Sequence, residues 1–371
     1  MLRVWLIKYV GVELQKTWHE NNMSFPSPDA VDAAIKRGFV RLDYRLVHES
    51  VEQASKTNSK SLAVQRLQPA LSGSCALLSF YDASSKTLRV ACTGDSRAVL
   101  GRRASNGLWE ATPLSTDQTG GTPEEVERLR REHPNEPNVV RNGRILGGLE
   151  PSRAFGDAIY KWSHDVAKKV ERDFLGRSPR PSLLTPPYVT AEPVVTRTQI
   201  QPENGDFVVM ATDGLWEFLS NEEVVGLVGK WLEKNTNASQ GNRGWTKKVF
   251  SFGGDKSGLP VQIKEQAQLA DPGSGNAKDV FGQRAPIRAQ FQGDDVYTVE
   301  DSNAATHLIR NALGGKKRDQ VCALLTLPAP YSRRRRDDMT VEVIFFGEQQ
   351  AGNNEIYLAA EGSGGELKAK L

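Results

Sequence analysis

The stretch DFVVMATDGLWEFLS, residues 206–220, drives a short apolar run into an aspartate, Asp213, followed by a glycine and a helix-like segment. Val208, Val209, Met210 and Ala211 are too few for a helix and suit a strand buried on both faces, which Gly214 allows to turn. The stretch DDMTVEVIFF, residues 337–346, runs the other way: Asp337 and Asp338 precede a second apolar run, Val341 to Phe346. If the two strands are neighbours, their aspartates can share a divalent cation. Taken singly, each aspartate is more often a turn or cap residue.

The 371 residues exceed the usual size of one domain but allow a single large α/β or α+β core with insertions. No apolar run approaches the roughly 20 residues that span a bilayer. A net charge of +3, from 48 basic and 45 acidic residues, demands neither nucleic acid nor an anionic membrane. Cys75, Cys92 and Cys322 lie in or near apolar runs without CxxC spacing, which favours buried free thiols over disulfides or zinc. The five histidines are scattered, so any metal site must rest on oxygen ligands.

The amino terminus does not read as a targeting segment, because Lys8 interrupts its apolar core and Glu13 is acidic. Leu2, Leu6, Tyr9, Val10 and Leu14 recur at helical spacing. Ser27-Pro28-Asp29 caps a helix whose stripe is Val31, Ala34, Ile35, Phe39, Leu42 and Leu46. After the polar segment 55–61, residues 74–102 read as three consecutive strands in an antiparallel meander, turning at ASSKT and at Gly94-Asp95-Ser96. Short strands bracketed by helices suggest α+β and not a Rossmann fold.

Thr122-Pro123 then opens a charged helix with Glu124/Arg128 and Glu127/Arg131 spacing and little apolar surface, expected to lie outside. Asn142-Gly143 marks a hairpin turn. Residues 233–295, rich in Gly, Ser, Asn and Asp, suit a partly disordered insertion better than an independent domain. Residues 301–313 return to helical spacing, the Arg333–Arg336 run suits a solvated loop, and residues 348–371 form a polar, peripheral tail.

The ordered series GDSRAVL (94–100), LSTDQTG (114–120), GGLEPSRAFGD (147–157), VVMATDGLWEFLS (208–220) and DDMTVEVIFF (337–346) resembles the metal-dependent type 2C (PPM) Ser/Thr protein phosphatases. The YKW after SRAFGD and the long insertions are similar to the pyruvate dehydrogenase phosphatase branch and its fungal mitochondrial relatives. The resemblance implies an α+β fold, two packed antiparallel β-sheets flanked by α-helices, within a phosphatase domain over residues 1–347 whose flap is 157–193. It implies a binuclear Mg²⁺ or Mn²⁺ centre, with Asp213 and Asp337 as ligands, Asp117 as the outlying ligand of a third metal, and Asp338 and Gly214 in support. Asp95 and Asp157 match motif aspartates for which local hydrogen bonding is favoured over metal contact. Two hard cations acidify a bridging water, which attacks phosphorus in line, so no side chain need be the nucleophile. The implied partner is a phosphoprotein substrate of a monomer, in mitochondria or alternatively the cytoplasm.

The chain also departs from the family. The family carries an upstream phosphate-gripping Arg, an acidic metal-water ligand and an Asp-Gly-His-Gly motif whose Asp bridges both metals, and no Asp-Gly-His occurs in this sequence. Residues 5–17, WLIKYVGVELQKT, resemble the helix that follows that motif, so the chain is expected to be amino-terminally truncated, lacking the first core strands. It then hydrolyses weakly as an incomplete phosphatase, or acts as a pseudophosphatase that binds partners. A haloacid-dehalogenase phosphatase would need an early Asp-x-Asp after a strand, which is not found.

Overall fold

The computed structural model describes residues 2–239, 258–262, 285–286 and 296–347, with two short strands beyond. The chain opens with helices α1 (Leu2–Glu20) and α2 (Pro28–Tyr44), and α2 continues through a π-helical turn, Arg45–Glu49, into α3 (Ser50–Ser55) and then α4 (Lys60–Leu71). Strands β1 (Gly73–Ser74), β2 (Ala76–Asp82), β3 (Thr87–Thr93), β4 (Arg97–Arg103) and β5 (Trp109–Pro113) precede α5 (Pro123–Glu132). Next come β6 (Val140–Arg141), β7 (Arg144–Ile145), β8 (Phe155–Gly156), α6 (His164–Phe174) and β9 (Val194–Gln199). The remainder is β10 (Phe207–Ala211), α7 (Asp213–Trp216), α8 (Asn221–Ser239), α9 (Ala304–Leu313), α10 (Arg318–Thr326), β11 (Val341–Phe345), β12 (Ile356–Leu358) and β13 (Leu367–Ala369).

Two antiparallel sheets, ordered β2-β3-β9 and β11-β10-β4-β5, pack face to face. Period-two alternation explains the layers. Leu88 and Val90 of β3, Ala98 and Leu100 of β4, and Val208 and Met210 of β10 meet between the sheets. The opposite face of the first sheet, through Ala76, Leu78, Phe80, Ala91 and Val195, packs on α1 and α2. The opposite face of the second, through Val99, Phe207, Val209 and Ala211, packs on α8 and α9. The result is four layers, helix–sheet–sheet–helix, with each fully buried aliphatic or Phe side chain contributing about 1.5–3 kcal/mol. Among the described residues β2 and β11 are outer strands, and the rings of Tyr81 in β2 and Phe346 just after β11 meet at 5.0 Å.

The expected meander over residues 74–102 is corrected. β2 and β3 do pair, but β4 pairs with β10 and β5. The Gly94-Asp95-Ser96 turn therefore carries the chain from one sheet to the other. Residues 60–71, left unassigned above, form α4 despite Pro69, with Ser59 accepting from the Leu62 N–H as its cap. Pro69 sits in the last turn, where loss of one helical hydrogen bond costs little.

Part of the expected insertion belongs to the core. α8 runs to Ser239, and residues 258–262 return to the second sheet. There the Trp109 backbone N–H donates to Pro260 O at 2.8 Å, and Leu259 and Val261 are buried. The rest of 233–295 lies mostly outside the described residues. So does most of the tail, in which β12 and β13 pair with each other. Cys322 is exposed, so the expectation of three buried thiols holds fully only for Cys92.

Residues 157–193 form a packed lobe. α6 seats Ala167, Val170 and Phe174 against α4, and Trp162 Nε1 donates to Val47 O at 2.8 Å. The buried Tyr188 hydroxyl donates to Glu136 at 2.7 Å and accepts from the Leu184 and Thr185 N–H groups. The Asn142-Gly143 turn joins β6 to β7 with both residues at positive φ, 52° and 70°.

α5 lies outside but is anchored by Glu125. Arg128 binds Glu125 and Glu132, each at 2.8 Å, in place of the Glu124 partner expected from spacing. Arg153 and the Ser152 hydroxyl reach the same Glu125 carboxylate at 2.7 and 2.6 Å, tying α5 to the segment that leads into β8. Burial pushes Glu125 up, but the hydrogen bonds from Arg153 and Arg128 outweigh it and hold the group at about 2. This stabilisation is complete above the unfolded value near 4.5 and is lost as pH falls toward 2. Glu125→Ala is expected to cost about 3–5 kcal/mol in urea unfolding at pH 7 and to flatten the pH dependence between about 4.5 and 2; a loss below about 1 kcal/mol contradicts the anchoring role.

Candidate metal centre

β10 lies between β4 and β11, with Ala211 opposite Arg97 on one side and Val341 on the other. That register brings Asp95, Asp213 and Asp337, which flank those positions, to one end of one sheet. The end is closed by Thr212. Its N–H donates to Thr340 O at 3.1 Å, its hydroxyl accepts from the Thr340 N–H at 3.0 Å, and the hydroxyl also contacts Asp338 O at 3.2 Å. A Cβ on Gly214 would lie 2.4 Å from Asp338 O, so only glycine lets the two segments close. Asp337 Oδ1 accepts from the Asp338 N–H at 2.8 Å, which fixes its carboxylate.

Burial pushes Asp213 up, and the charges of Asp95, Asp337 and Glu217 raise it further, to about 7. Burial likewise raises Asp95, opposed by the Cys75 thiol, which donates to Asp95 Oδ1 at 3.1 Å. The same burial and the Asp95 charge push the Cys75 thiol well above its usual range, so it stays protonated as a donor. Concentrated carboxylates without a counter-charge repel one another, and a hard divalent cation relieves that repulsion. The all-oxygen donor set fits Mg²⁺ or Mn²⁺ in chemistry. Among the described residues, however, no three His, Cys, Asp or Glu side chains are grouped so as to hold a metal ion by themselves.

The other expected residues are placed differently. Asp117 is held by Arg97, whose Nε and Nη2 donate to its two carboxylate oxygens at 3.0 and 2.5 Å. Arg97 also donates to Asn221 and stacks over Trp216, locking β4 to α7 and α8. Asp157, at φ 45°, donates its N–H to Ser72 O at 3.0 Å and lies in the field of Lys161 and Asp43, not of Asp213. The Asp338 side chain is fully exposed, and its backbone carbonyl does the work beside Gly214. Cys75 and Glu217 were not singled out from the sequence. Glu217 stands one helical turn after Asp213, a spacing that could have shown it, whereas nothing local marks Cys75.

In metal-free protein the Asp213 value of about 7 lies above its usual 3.8, so ionising the cluster subtracts stability as pH rises from about 4 to about 7 and has no effect below both values. In EDTA, Asp213→Asn is expected to raise Tm above pH 7 by about 2–4 °C and to leave it unchanged near pH 4; a variant less stable than the parent at pH 8 contradicts the repulsion.

The sequence profile of protein phosphatase 2C matches residues 6–248. A protein phosphatase 2C homolog of Schizosaccharomyces pombe is 43% identical over 353 residues, covering 94% of this chain and 70% of the relative. Pyruvate dehydrogenase (acetyl-transferring) phosphatase 1, mitochondrial, of Saccharomyces cerevisiae is 42% identical, covering 92% of this chain and 58% of the relative. The Bos taurus protein of that same name is 32% identical, covering 91% and 59%. This chain thus spans less than two thirds of the length of those last two relatives. On the profile match and the Schizosaccharomyces pombe relative together, the chain belongs to the protein phosphatase 2C family.

Proposed function

We propose that the aspartate end of the second sheet is part of a metal centre for hydrolysing phosphoserine and phosphothreonine in proteins. The observation that carries this reading is the convergence of Asp213, Asp337 and Asp95 on neighbouring strand ends, with Asp213 pushed up to about 7 by its neighbours. Asp213 and Asp337 hold the cation, Asp95 adds charge to the site, and the Cys75 thiol orients Asp95. The cation, when bound, neutralises phosphoryl oxygens and acidifies the attacking water. The Arg97–Asp117 pair keeps β4 fixed beneath that end. The names of the yeast and bovine relatives support a mitochondrial location and a phosphorylated enzyme of the pyruvate dehydrogenase kind as substrate.

We further propose that residues 1–371 alone turn over slowly. With no Asp-Gly-His in the sequence and no three-ligand group among the described residues, the cation is held by fewer charges than a tight site needs. The same observation favours a second reading, a pseudophosphatase that binds phosphoproteins without hydrolysing them.

Thermal unfolding with Mn²⁺ tests the centre. Millimolar Mn²⁺ is expected to raise Tm of the parent and not of Asp213→Asn or Asp337→Asn, with an apparent Kd of roughly 10⁻⁴–10⁻³ M; no difference between parent and variants sinks the assignment. Hydrolysis of a phosphothreonine peptide is expected to be slow but Mn²⁺-dependent and lost in Asp213→Asn. Turnover near the roughly 1–10³ s⁻¹ typical of enzymes overturns the weak-centre reading, and no Mn²⁺-dependent release at all favours the pseudophosphatase.

A further inference from the structure

In the helical layer that covers the first sheet, one buried carboxylate gathers three cations. The Glu13 side chain, 8% exposed, accepts from Lys16 Nζ at 2.9 Å, Arg37 Nε at 3.2 Å and Arg41 Nη1 at 2.9 Å. Arg37 Nη2 also donates to the Thr17 hydroxyl at 2.7 Å. Burial pushes Glu13 up, but the hydrogen bonds from Lys16, Arg41 and Arg37 outweigh it and hold the group at about 2, so it is ionised. A clamp between α1 and α2 needs one cation, and here one negative charge meets three positive ones. Their side chains stay 49%, 48% and 57% exposed, which leaves further N–H donors facing water.

The row continues along the seam between the helices. Arg45, exposed, donates to the Tyr9 hydroxyl at 2.7 Å and stacks over Trp5 at 5.0 Å, and exposed Lys8 lies 5.3 Å from the centroid of the same ring. Arg37, Arg41 and Arg45 recur every four residues, about 6 Å apart along the helix and about 12 Å from first to last. The other acids of this layer are engaged or terminal. Asp29 and Asp32 hold Arg197, and Asp43 holds Lys161. Glu20 follows Lys16 by one turn, and Glu49 attracts Arg45 from one turn further on, so an acid stands beyond each end of the row.

We propose that this row docks an acidic stretch of a protein partner, whose carboxylates, about 6 Å apart, pair in turn with Arg37, Arg41 and Arg45. Positive charge is in excess only over this short length and is closed by an acid at each end. That arrangement suits a short chain segment and opposes the uniform negative charge of a bilayer or a long nucleic acid. Guanidiniums already oriented by Glu13, Thr17 and Tyr9 lose less freedom on binding than unsupported surface arginines do. The docking row goes beyond the proposed hydrolysis and does not depend on it.

The full chain is titrated in EDTA at low salt with a fluorescein-labelled octapeptide that alternates glutamate and alanine, read by anisotropy. Alternation puts the carboxylates on one side of an extended chain, roughly 6.6 Å apart. Arg41→Ala/Arg45→Ala, which leaves Lys16 and Arg37 on Glu13, is expected to weaken binding about tenfold or more. A peptide with the same glutamates in one block is expected to bind severalfold more weakly, and its glutamine counterpart not at all. Lys168→Ala/Arg172→Ala removes equal charge from α6 and should bind as the parent does. In the parent, the side-chain Nε–H NMR signals of Arg37, Arg41 and Arg45 should shift first, a readout that stands even where a variant fails to fold. No binding by the parent, undiminished binding by Arg41→Ala/Arg45→Ala, equal weakening in the α6 variant, equal affinity for the block peptide, or shifts that begin elsewhere overturn the docking row. Phosphatidylglycerol vesicles or single-stranded DNA held more tightly than the peptide, and released by Arg41→Ala/Arg45→Ala, overturn a protein segment as the occupant.

Discussion

The register that sets Ala211 against Arg97 and Val341 is the constraint on which the site depends. Each strand is short and replaceable in sequence as long as it stays apolar, but a slip of one residue would turn every core side chain to the wrong face and move one aspartate away from the others. Thr212 and Gly214 protect that register at the end where it matters. The hydroxyl of one and the missing side chain of the other let the segments at residues 212–214 and 338–340 close on each other.

Charge is concentrated at that end at a cost the rest of the fold offsets. Elsewhere the buried charges are paired: Asp117 with Arg97, Glu125 with Arg128 and Arg153, Asp43 with Lys161, Asp206 with Arg102. These pairs tie neighbouring elements together. Asp213, Asp95 and Asp337 face one another, and burial keeps water from screening them. A fold that pairs these buried carboxylates and leaves the Asp213 group in mutual repulsion is arranged for a cation.

Much of this was legible in the sequence, and the failures share a cause. The apolar runs at 207–211 and 341–345 can be read as strands, and their flanking aspartates as candidates, because both signals are local, although only the first is fully buried and 341–345, expected to be buried, is half-exposed at the sheet edge. Alternation shows that residues 97–103 form a strand but not which sheet receives it, so the Gly94-Asp95-Ser96 crossing reads as a hairpin in the sequence. Asp117 can be seen as a site residue, yet its binding to Arg97, 20 positions away, is set by how its loop folds back onto β4 and leaves no trace in spacing. Residues 258–262 looked like insertion because a short apolar return inside a polar stretch has no period to detect. Pairing between distant elements is what the sequence withholds.

The central claim is that a divalent cation binds at the shared end of β10 and β11. Paramagnetic broadening of backbone amide NMR signals by sub-stoichiometric Mn²⁺ locates the ion directly. The account predicts that the amides of Thr212, Gly214 and Asp338 broaden first and that Asp213→Asn abolishes the effect. Broadening that begins elsewhere on the fold, or that persists unchanged in Asp213→Asn, would contradict it.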